Sequence, residues 1–226
     1  MNVPDLDRIA AILIDVDGTL IDSNAAHAEA WAETLTEQGI KTDPEDIRPL
    51  VGMGSDKLLP TVAGVGELSA LGKALTAHKK SVFDERMPHL RPTRGARELV
   101  AYLRKIGKDI VVATSADDRE MTALLTQAGV ADLLPQRTSK EDGKRSKPDP
   151  DIVHAALAKA RVDASRALMI GDTPYDIEAA ARAGVATIAL RCGGHWRDVD
   201  LKGATAILDD PAALLEVWLT TSLSIR

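Results

Sequence analysis

The sequence has little cysteine, few aromatic residues and no excess of positive charge. Cys192 is the single cysteine among 226 residues, so the chain cannot form an internal disulfide, and a reducing environment suits it best. Aromatic residues make up 3% of the chain, so a core must be built from Ala, Leu, Val and Ile. The net charge of −6 argues against general nucleic-acid binding, which needs a basic surface.

Long apolar segments are also missing from the sequence. No run approaches the roughly 20 apolar residues that cross a bilayer. The first residues, MNVPDLDRIAA, are acidic where a secretion signal has a basic region. We therefore expect a soluble cytoplasmic protein with no membrane partner, and a monomer by default. Because the chain is acidic, an anionic substrate would have to be attracted by a local cation.

Short apolar runs recur along the chain and have the length and composition of buried strands. They are residues 10–14, 109–113, 166–170, 186–190 and 205–208. Helical patterns lie between most of them, as in residues 95–107, where apolar side chains repeat on one helical face. This alternation predicts an α/β fold with a Rossmann-like parallel sheet and right-handed crossovers.

Residues 23–88 interrupt the alternation of strands and helices. They show helical patterns and no convincing strand, and the segment is too long for an ordinary crossover between two strands. We therefore expect an inserted all-helical domain, called the cap below. The α/β core would then comprise residues 1–22 and 89–226.

Polar side chains follow the predicted strands at the edge where an open parallel sheet binds its ligands. The candidates are Asp15 and Asp17 in ILIDVDGTL, Thr114 and Ser115 in IVVATSADD, Lys147 in SKPDPD, and Asp172 and Asp176 in GDTPYD. Because the carboxyl ends of parallel strands share one edge, these residues should converge. Lys147 precedes a predicted helix with Asp149 as its N-cap and Pro150 as its first residue.

The spacing of Asp15 and Asp17 is unusual, because two carboxylates so close together repel each other. A divalent cation, bound phosphate chemistry or a shared proton would each relieve that repulsion. Several carboxylates with further oxygen ligands suit Mg²⁺, which keeps some of its waters and accepts one or two direct carboxylates.

Taken in order, DVDGTL, the hydroxyl of Thr114, Lys147 in KPDP, and GDTPYD resemble the four motifs of the haloacid dehalogenase-like superfamily. The resemblance covers essentially the whole chain. The helical insertion resembles the cap of the branch that includes phosphoglycolate phosphatase and β-phosphoglucomutase. It implies a Mg²⁺-dependent phosphatase that acts on a small phosphorylated metabolite, phosphoglycolate-like or a sugar phosphate.

Chemistry and resemblance together suggest a role for each acidic residue. Asp15 would attack phosphorus and form an aspartyl-phosphate. Asp17 would protonate the leaving oxygen and then accept a proton from the hydrolytic water. Mg²⁺ would be bound by Asp15, by the backbone carbonyl of Asp17 and by Asp172. Asp176, one turn later, would be an outer or alternate ligand.

The remaining candidates would bind the phosphoryl group or the rest of the substrate. Thr114, the backbone amide of Ser115 and Lys147 would offset the charge of the transferred phosphoryl group. In the cap, the loop VGMGSDKLL with Gly52, Met53 and Gly54 resembles the substrate-specificity loop of related caps. It is equally well explained as a flexible turn before a helix capped by the following serine.

Two further cap residues, His27 and Trp31, lie one turn apart on a predicted helix. We expect them to pack rather than to contact substrate.

Other functions remain open at this stage. A sugar phosphomutase would use the same acidic pair, although mutases often carry a bulkier residue at the Thr19 position. Dehalogenases lack the acid at the Asp17 position, and phosphonate cleavage would need a cap lysine such as Lys57. A non-enzymatic phosphoreceiver domain also uses an aspartyl-phosphate, but it is about half as long and lacks the helical insertion.

Overall fold

The fold is built on a parallel sheet of short, mostly apolar strands. It was obtained as a computed structural model that describes residues 3–224, with side chains described for residues 3–221. In chain order the strands are β1 (Ala11–Ile14), β2 (Ile21–Asp22), β3 (Arg91–Pro92), β4 (Asp109–Ala113), β5 (Gln136–Thr138), β6 (Ala167–Gly171), β7 (Ala186–Leu190) and β8 (Ala206–Leu208). Six of them form one sheet in the order β5-β4-β1-β6-β7-β8.

The centre of this sheet is the place where the chain changes direction. β1 pairs in parallel with β4 on one side and with β6 on the other. The chain first builds outward from β1 through β4 and β5, and then returns to add β6, β7 and β8 on the other side. Open α/β sheets bind ligands at such a switch point, outside the carboxyl ends of the strands. The predicted parallel sheet is thereby confirmed.

Helices cover the sheet and also form the inserted segment. They are α1 (Asn24–Glu37), α2 (Pro44–Ile47), α3 (Ser55–Ala63), α4 (Ala70–Arg86), α5 (Ala96–Lys105), α6 (Asp118–Gln127), α7 (Asp151–Ala160), α8 (Pro174–Arg182) and α9 (Pro211–Ser224). The first four lie between β2 and β3, which pair with each other in an antiparallel ribbon. This ribbon brings the two ends of the helical segment together at the edge of the core.

Both faces of the main sheet are buried, which explains why its central strands are almost entirely apolar. Along β1, Ile12 and Ile14 pack in the cluster that includes side chains of α5, α6 and α9. Ala11 and Leu13 point the other way, into a cluster with side chains of α7 and α8. The helical segment has its own core, formed around Trp31 and the apolar faces of α1 to α4.

Some local expectations from the sequence are wrong. Helix α7 begins at Asp151, preceded by Pro150, and Asp149 does not cap it. The Asp149 carboxylate instead accepts a hydrogen bond from Lys57 of the cap, with Lys57 Nζ 2.6 Å from Asp149 Oδ2. Helix α3 is preceded by Gly54, so Ser55 is its first residue rather than its cap.

Within residues 3–224, no helix combines the length and apolar character needed to span a bilayer.

Candidate active site

The candidate residues lie together at the carboxyl edge of the three central strands. Asp15 follows β1, Thr114 follows β4, and Asp172 follows β6. The backbone N–H of Asp15 donates to the carbonyl of Ile170 at 2.9 Å. The hydrogen-bond ladder between β1 and β6 therefore extends as far as Asp15. It fixes the backbone of Asp15 at the end of β1, which lies between β4 and β6.

Lys147 connects two of the carboxylates. Its ammonium group donates to Asp15 Oδ1 at 2.5 Å and to Asp176 Oδ1 at 2.7 Å. The lysine, Asp172 and Asp176 are each only 1% exposed, and Asp15 is 4% exposed. Almost all of the solvation of these charges has therefore been exchanged for contacts with each other.

Burial also changes the protonation behaviour of these groups. It raises the pKa of Asp15 to about 8; the charge of Lys147 opposes this rise, while neighbouring carboxylates add to it. Burial and the nearby Asp176 and Asp15 carboxylates likewise raise the pKa of Asp172 well above its ordinary value. For Lys147, burial lowers the pKa, but Asp15 and Asp176 outweigh burial and raise the pKa above its usual range.

The donor set fits a divalent cation. One oxygen from each of Asp15, Asp172 and Asp176 lies within 4.8 Å of the others. Three buried carboxylates face a single lysine, so the cluster holds more negative charge than Lys147 alone can balance. Oxygen-rich, acidic clusters of this kind are the preferred sites of hard divalent cations.

Asp172 is held by groups whose contact with it was not expected from the sequence. Thr19 Oγ1 donates to its Oδ1 at 3.2 Å, and Asn24 Nδ2 donates to its Oδ2 at 2.7 Å. The backbone also approaches closely, because a Cβ added at Gly193 would lie 1.8 Å from Asp172 Oδ2 and one at Gly18 would lie 2.1 Å away. Two glycines therefore leave room for this carboxylate.

Asp176 has a more structural setting than the other two carboxylates. Its Oδ2 accepts hydrogen bonds from the backbone N–H of Thr173 at 3.1 Å and from the Thr173 hydroxyl at 2.7 Å. This is a capping box at the start of α8. Since its Oδ1 binds Lys147, both oxygens already have donors. A position in the outer shell of a metal is the role that these contacts favour.

Asp17 is oriented from the first turns of α1. Its Oδ1 accepts a hydrogen bond from Ser23 Oγ at 2.6 Å and lies 2.8 Å from His27 Nε2. Burial raises the pKa of Asp17, but the charge and hydrogen bond of His27 and the hydrogen bond from Ser23 outweigh it and lower the pKa to about 2. Asp17 is therefore ionised near neutral pH in the resting protein.

His27 does more than the packing expected from the sequence. Its ring stacks on Phe83 at 3.9 Å between centroids, which holds the imidazole edge against Asp17. The position of His27 in the sequence could have indicated its contact with Asp17. The helix α1 starts directly after DVDGTLIDS, and Ser23 and His27 lie one turn apart. Residues spaced by four share a helix face, so both could have been assigned to the same neighbour.

A cavity of about 260 Å³ opens above Asp15 and Asp17. It brings together seven of the predicted residues: Asp15, Asp17, Gly52, Met53, Gly54, Thr114 and Ser115. The other three, Lys147, Asp172 and Asp176, join the cavity through the carboxylate cluster at Asp15. Trp31 also lines the cavity, so it combines packing with exposure to this space.

The phosphate-binding candidates have different local partners. Thr114 is 1% exposed, and its hydroxyl accepts a hydrogen bond from the backbone N–H of Ala116 at 3.1 Å. The Ser115 hydroxyl is buried and has no hydrogen-bond partner among the described residues. It is therefore available to a ligand in the cavity.

The glycine-containing loop of the cap is docked on the core. The backbone N–H of Gly54 donates to Ser146 Oγ at 3.0 Å, next to Lys147 in the sequence. A Cβ at Gly52 would lie 2.8 Å from the Thr173 side chain, and Gly52 has a φ of 103°. A Cβ at Gly54 would lie 2.6 Å from Ser146 Cβ, so close contact with the core requires both glycines, and Met53 between them lines the cavity.

Comparisons with known proteins support one family. The model of the haloacid dehalogenase-like hydrolases matches residues 12–190. A phosphoglycolate phosphatase from Rhodospirillum rubrum is 29% identical over 221 residues, which cover 92% of this chain and 90% of that protein. A validoxylamine A 7'-phosphate phosphatase from Streptomyces hygroscopicus is 32% identical over 184 residues, which cover 79% of this chain and 84% of that protein.

A solved structure agrees with the sequence comparisons. The crystal structure of a hydrolase from Pseudomonas syringae superposes with a TM-score of 0.86 and 25% identity, covering 93% of this chain and 98% of that one. The matched region contains the DVDGTL motif, the helical insertion and the GDTPYD motif. The chain belongs to the haloacid dehalogenase-like hydrolase family.

Proposed function

We propose that the protein is a Mg²⁺-dependent phosphatase that hydrolyses a small phosphomonoester through an aspartyl-phosphate on Asp15. The supporting observation is that Asp15 lines the cavity, contacts Lys147 and shares a carboxylate cluster with Asp172. A carboxylate at the floor of a cavity can act as a nucleophile when it is ionised, and a lysine beside it offsets the charge of an incoming phosphoryl group.

The proposed reaction has two steps. A carboxylate oxygen of Asp15 bonds to phosphorus as the ester P–O bond breaks, and Asp17 gives its proton to the leaving oxygen. Water then attacks phosphorus, Asp17 takes a proton from that water, and the bond between phosphorus and Asp15 breaks. Asp17 is ionised at rest, and a phosphoryl dianion bound nearby raises its proton affinity for the first step.

The surrounding residues position these groups. Ser23 and His27 hold the Asp17 carboxylate on the cavity side. Thr114, the Ser115 amide and Lys147 would bind the phosphoryl oxygens. Asp15 and Asp172 would bind Mg²⁺ together with the Asp17 carbonyl, and Asp176 would hold Lys147. When bound, the ion would neutralise charge on the phosphoryl group and on the carboxylates around it.

The helical segment would act as a cap. We propose that residues 23–88 form a unit that covers the cavity, excludes bulk water and selects the substrate, while residues 1–22 and 89–226 supply the chemistry. The Gly52–Gly54 loop supports this division of labour, because it lines the cavity and is bound to Ser146 of the core. Closure of such a lid commonly gates the reaction.

The test is a screen of phosphorylated metabolites at fixed Mg²⁺ with Asp15→Asn as a variant and Asp7→Asn, an exposed aspartate, as its matched control. We expect Mg²⁺-dependent phosphate release by the native protein and by Asp7→Asn, and loss of turnover in Asp15→Asn. Full turnover by Asp15→Asn would refute the mechanism. Isomerisation of a hexose 1-phosphate without phosphate release would instead indicate a phosphomutase.

A further inference from the structure

We infer that the group esterified to the phosphate is neutral and rich in hydroxyls, as in a monosaccharide or polyol phosphate, and carries no second anion. This inference rests on the phosphatase function proposed above and concerns the part of the cavity beyond Asp15 and Asp17. That part is lined by three lysines and four carboxylates: Lys79, Lys80, Lys140, Glu67, Asp117, Glu120 and Glu141.

Each of the three lysines is already paired with a carboxylate across the boundary between cap and core. Lys80 binds Asp117 and Lys140 binds Glu67. The other pair, Lys79 and Glu120, is separated by 3.4 Å. Every cation in this part of the cavity thus has its own counter-ion before any substrate arrives.

The fourth carboxylate, Glu141, is bound by neutral donors. Its Oε2 accepts hydrogen bonds from Ser139 Oγ at 2.6 Å and from the backbone N–H of Asp118 at 3.2 Å. With four carboxylates against three ammonium groups, this region has an excess of negative charge. A second phosphate or carboxylate on the substrate would have to displace a protein carboxylate from its lysine and then lie beside it, which is unfavourable.

Neutral hydroxyl groups fit the same surroundings without breaking an ion pair. A hydroxyl can donate to a carboxylate and accept from an ammonium group at the same time. Thr76 Oγ1 and Ser115 Oγ are buried, line the cavity and lack a hydrogen-bond partner among the described residues. Buried hydroxyls without partners are costly. Hydroxyl groups of the substrate would supply hydrogen-bond partners at these two positions.

The remaining wall is apolar and the cavity is small. Trp31, Val51 and Leu58 contribute apolar surface, which suits the C–H faces of a sugar ring. The volume of about 260 Å³ is just below the roughly 300–1,000 Å³ of pockets for drug-sized ligands. A single monosaccharide or a short polyol is therefore the expected size.

The first experiment compares kcat/KM at saturating Mg²⁺ for hexose 6-phosphates and glycerol phosphate with that for phosphoglycolate and a sugar bisphosphate. We expect the neutral leaving groups to be preferred by about tenfold or more. Preference for phosphoglycolate or the bisphosphate would overturn the inference while leaving the phosphatase function intact. Absence of Mg²⁺-dependent release from all of these and from p-nitrophenyl phosphate would overturn the phosphatase proposal itself, and this inference with it.

The second experiment changes the charge of the cavity. Glu67→Gln removes the counter-ion of Lys140, so kcat/KM for phosphoglycolate relative to hexose 6-phosphate should rise by about tenfold. Asp84→Asn is the matched control, because Asp84 also pairs with a core cation, Arg119 at 2.5 Å, but does not line the cavity. An equal ratio in both variants would overturn the inference.

A third variant tests the unpartnered hydroxyl and does not depend on an ion pair. Thr76→Val preserves the shape of the side chain and should lower kcat/KM for hexose 6-phosphate by about fivefold, with phosphoglycolate unaffected. Thr61→Val is the control, since its hydroxyl is on the exposed side of α3 and bonds to the carbonyl of Lys57. An unchanged value for hexose 6-phosphate would count against a hydroxyl contact at Thr76.

Discussion

At the scale of single residues, the proposed mechanism depends on how the Asp17 carboxylate is held. His27 lies 2.8 Å from its carboxylate and is itself fixed by stacking on Phe83. The same contact lowers the pKa of Asp17, which burial alone would raise. In the proposed mechanism His27 is thus a positioning residue that also favours the ionised form of Asp17.

Replacing His27 should therefore affect turnover and its dependence on pH. His27→Gln keeps a hydrogen-bond donor but removes the electrostatic effect of the imidazole that lowers the pKa of Asp17, so this pKa should rise and the acidic limb of the kcat/KM profile should move to higher pH. We expect kcat to fall by about ten- to a hundredfold with little change in KM. His78→Gln, on α4 and paired with Glu37, is the control; an unmoved profile in His27→Gln would refute this role.

A second residue-scale prediction concerns the room left for Asp172. A Cβ at Gly193 would lie 1.8 Å from Asp172 Oδ2, so Gly193→Ala must displace that carboxylate. The Mg²⁺ concentration for half-maximal activity should rise by about ten- to a hundredfold, as for loss of other groups that orient a metal ligand.

Gly66→Ala is the matched control for this change, because a Cβ at Gly66 meets no atom within 4 Å. Equal Mg²⁺ dependence in the two alanine variants would show that Asp172 tolerates the shift or does not bind the ion.

At the scale of elements, one ion pair ties the cap to the loop that carries Lys147. Lys57 on α3 binds Asp149 at 2.6 Å, two residues after the lysine that contacts Asp15. Phosphonate cleavage would need a cap lysine such as Lys57 to form a Schiff base. Its ammonium group is instead engaged by Asp149, and Lys57 does not line the cavity.

Breaking this pair should weaken substrate binding more than it weakens the fold. Lys57→Met should raise KM severalfold, because the proposed cap would lose this contact with the core. Since the Lys57 side chain is 33% exposed, the free energy of unfolding should change by less than about 1 kcal/mol. Lys73→Met, an exposed lysine on α4, is the control, and a KM equal to that of the native protein in Lys57→Met would contradict the coupling.

The elements also show where sequence patterns were sufficient. β1, β4, β6, β7 and β8 were predicted to within one residue at each end, because strands covered on both faces appear as continuous apolar runs. β5 was missed, since Gln136–Thr138 is a polar strand at the edge of the sheet. The two-residue ribbon of β2 and β3 and the four-residue helix α2 are too short to produce a periodic signal.

At the scale of the whole molecule, folding buries several carboxylates close together, which makes their ionisation unfavourable. Asp15 and Asp172 both have a raised pKa in the folded chain. Between the ordinary pKa of 3.8 and the value of about 8 for Asp15, the folded state binds more protons than the unfolded state. The free energy of unfolding should therefore fall as the pH rises through this window.

Thermal unfolding tests this prediction. In EDTA the Tm should decrease from pH 5 to pH 8, by about 2–4 °C for each kcal/mol lost. With excess Mg²⁺ the decrease should be smaller, because the ion favours the ionised carboxylates. Asp15→Asn in EDTA should show a flatter profile than the native protein. A Tm in EDTA that rises over this range would contradict a raised pKa of these carboxylates in the folded chain.

Long-range contacts set the limit of what the sequence could reveal about the site. Asp15, Thr114 and Asp172 were predictable because each follows a strand that ends at a common edge, whereas Lys147 was placed by the helix that follows it. The hydrogen bond from Asn24 to Asp172 joins residues 148 positions apart, and the pair of Lys140 and Glu67 joins residues 73 positions apart. Such partners depend on how the cap meets the core, and local patterns carry no information about that docking.

The most direct measurement is to locate the phosphoryl group during turnover. Rapid addition of borohydride to the enzyme turning over with Mg²⁺ and substrate reduces an acyl phosphate to an alcohol, and peptide mass spectrometry then identifies the modified residue. We predict homoserine at position 15 and no such product in Asp15→Asn. Reduction at another carboxylate, or steady turnover with no modified residue, would contradict an aspartyl-phosphate on Asp15.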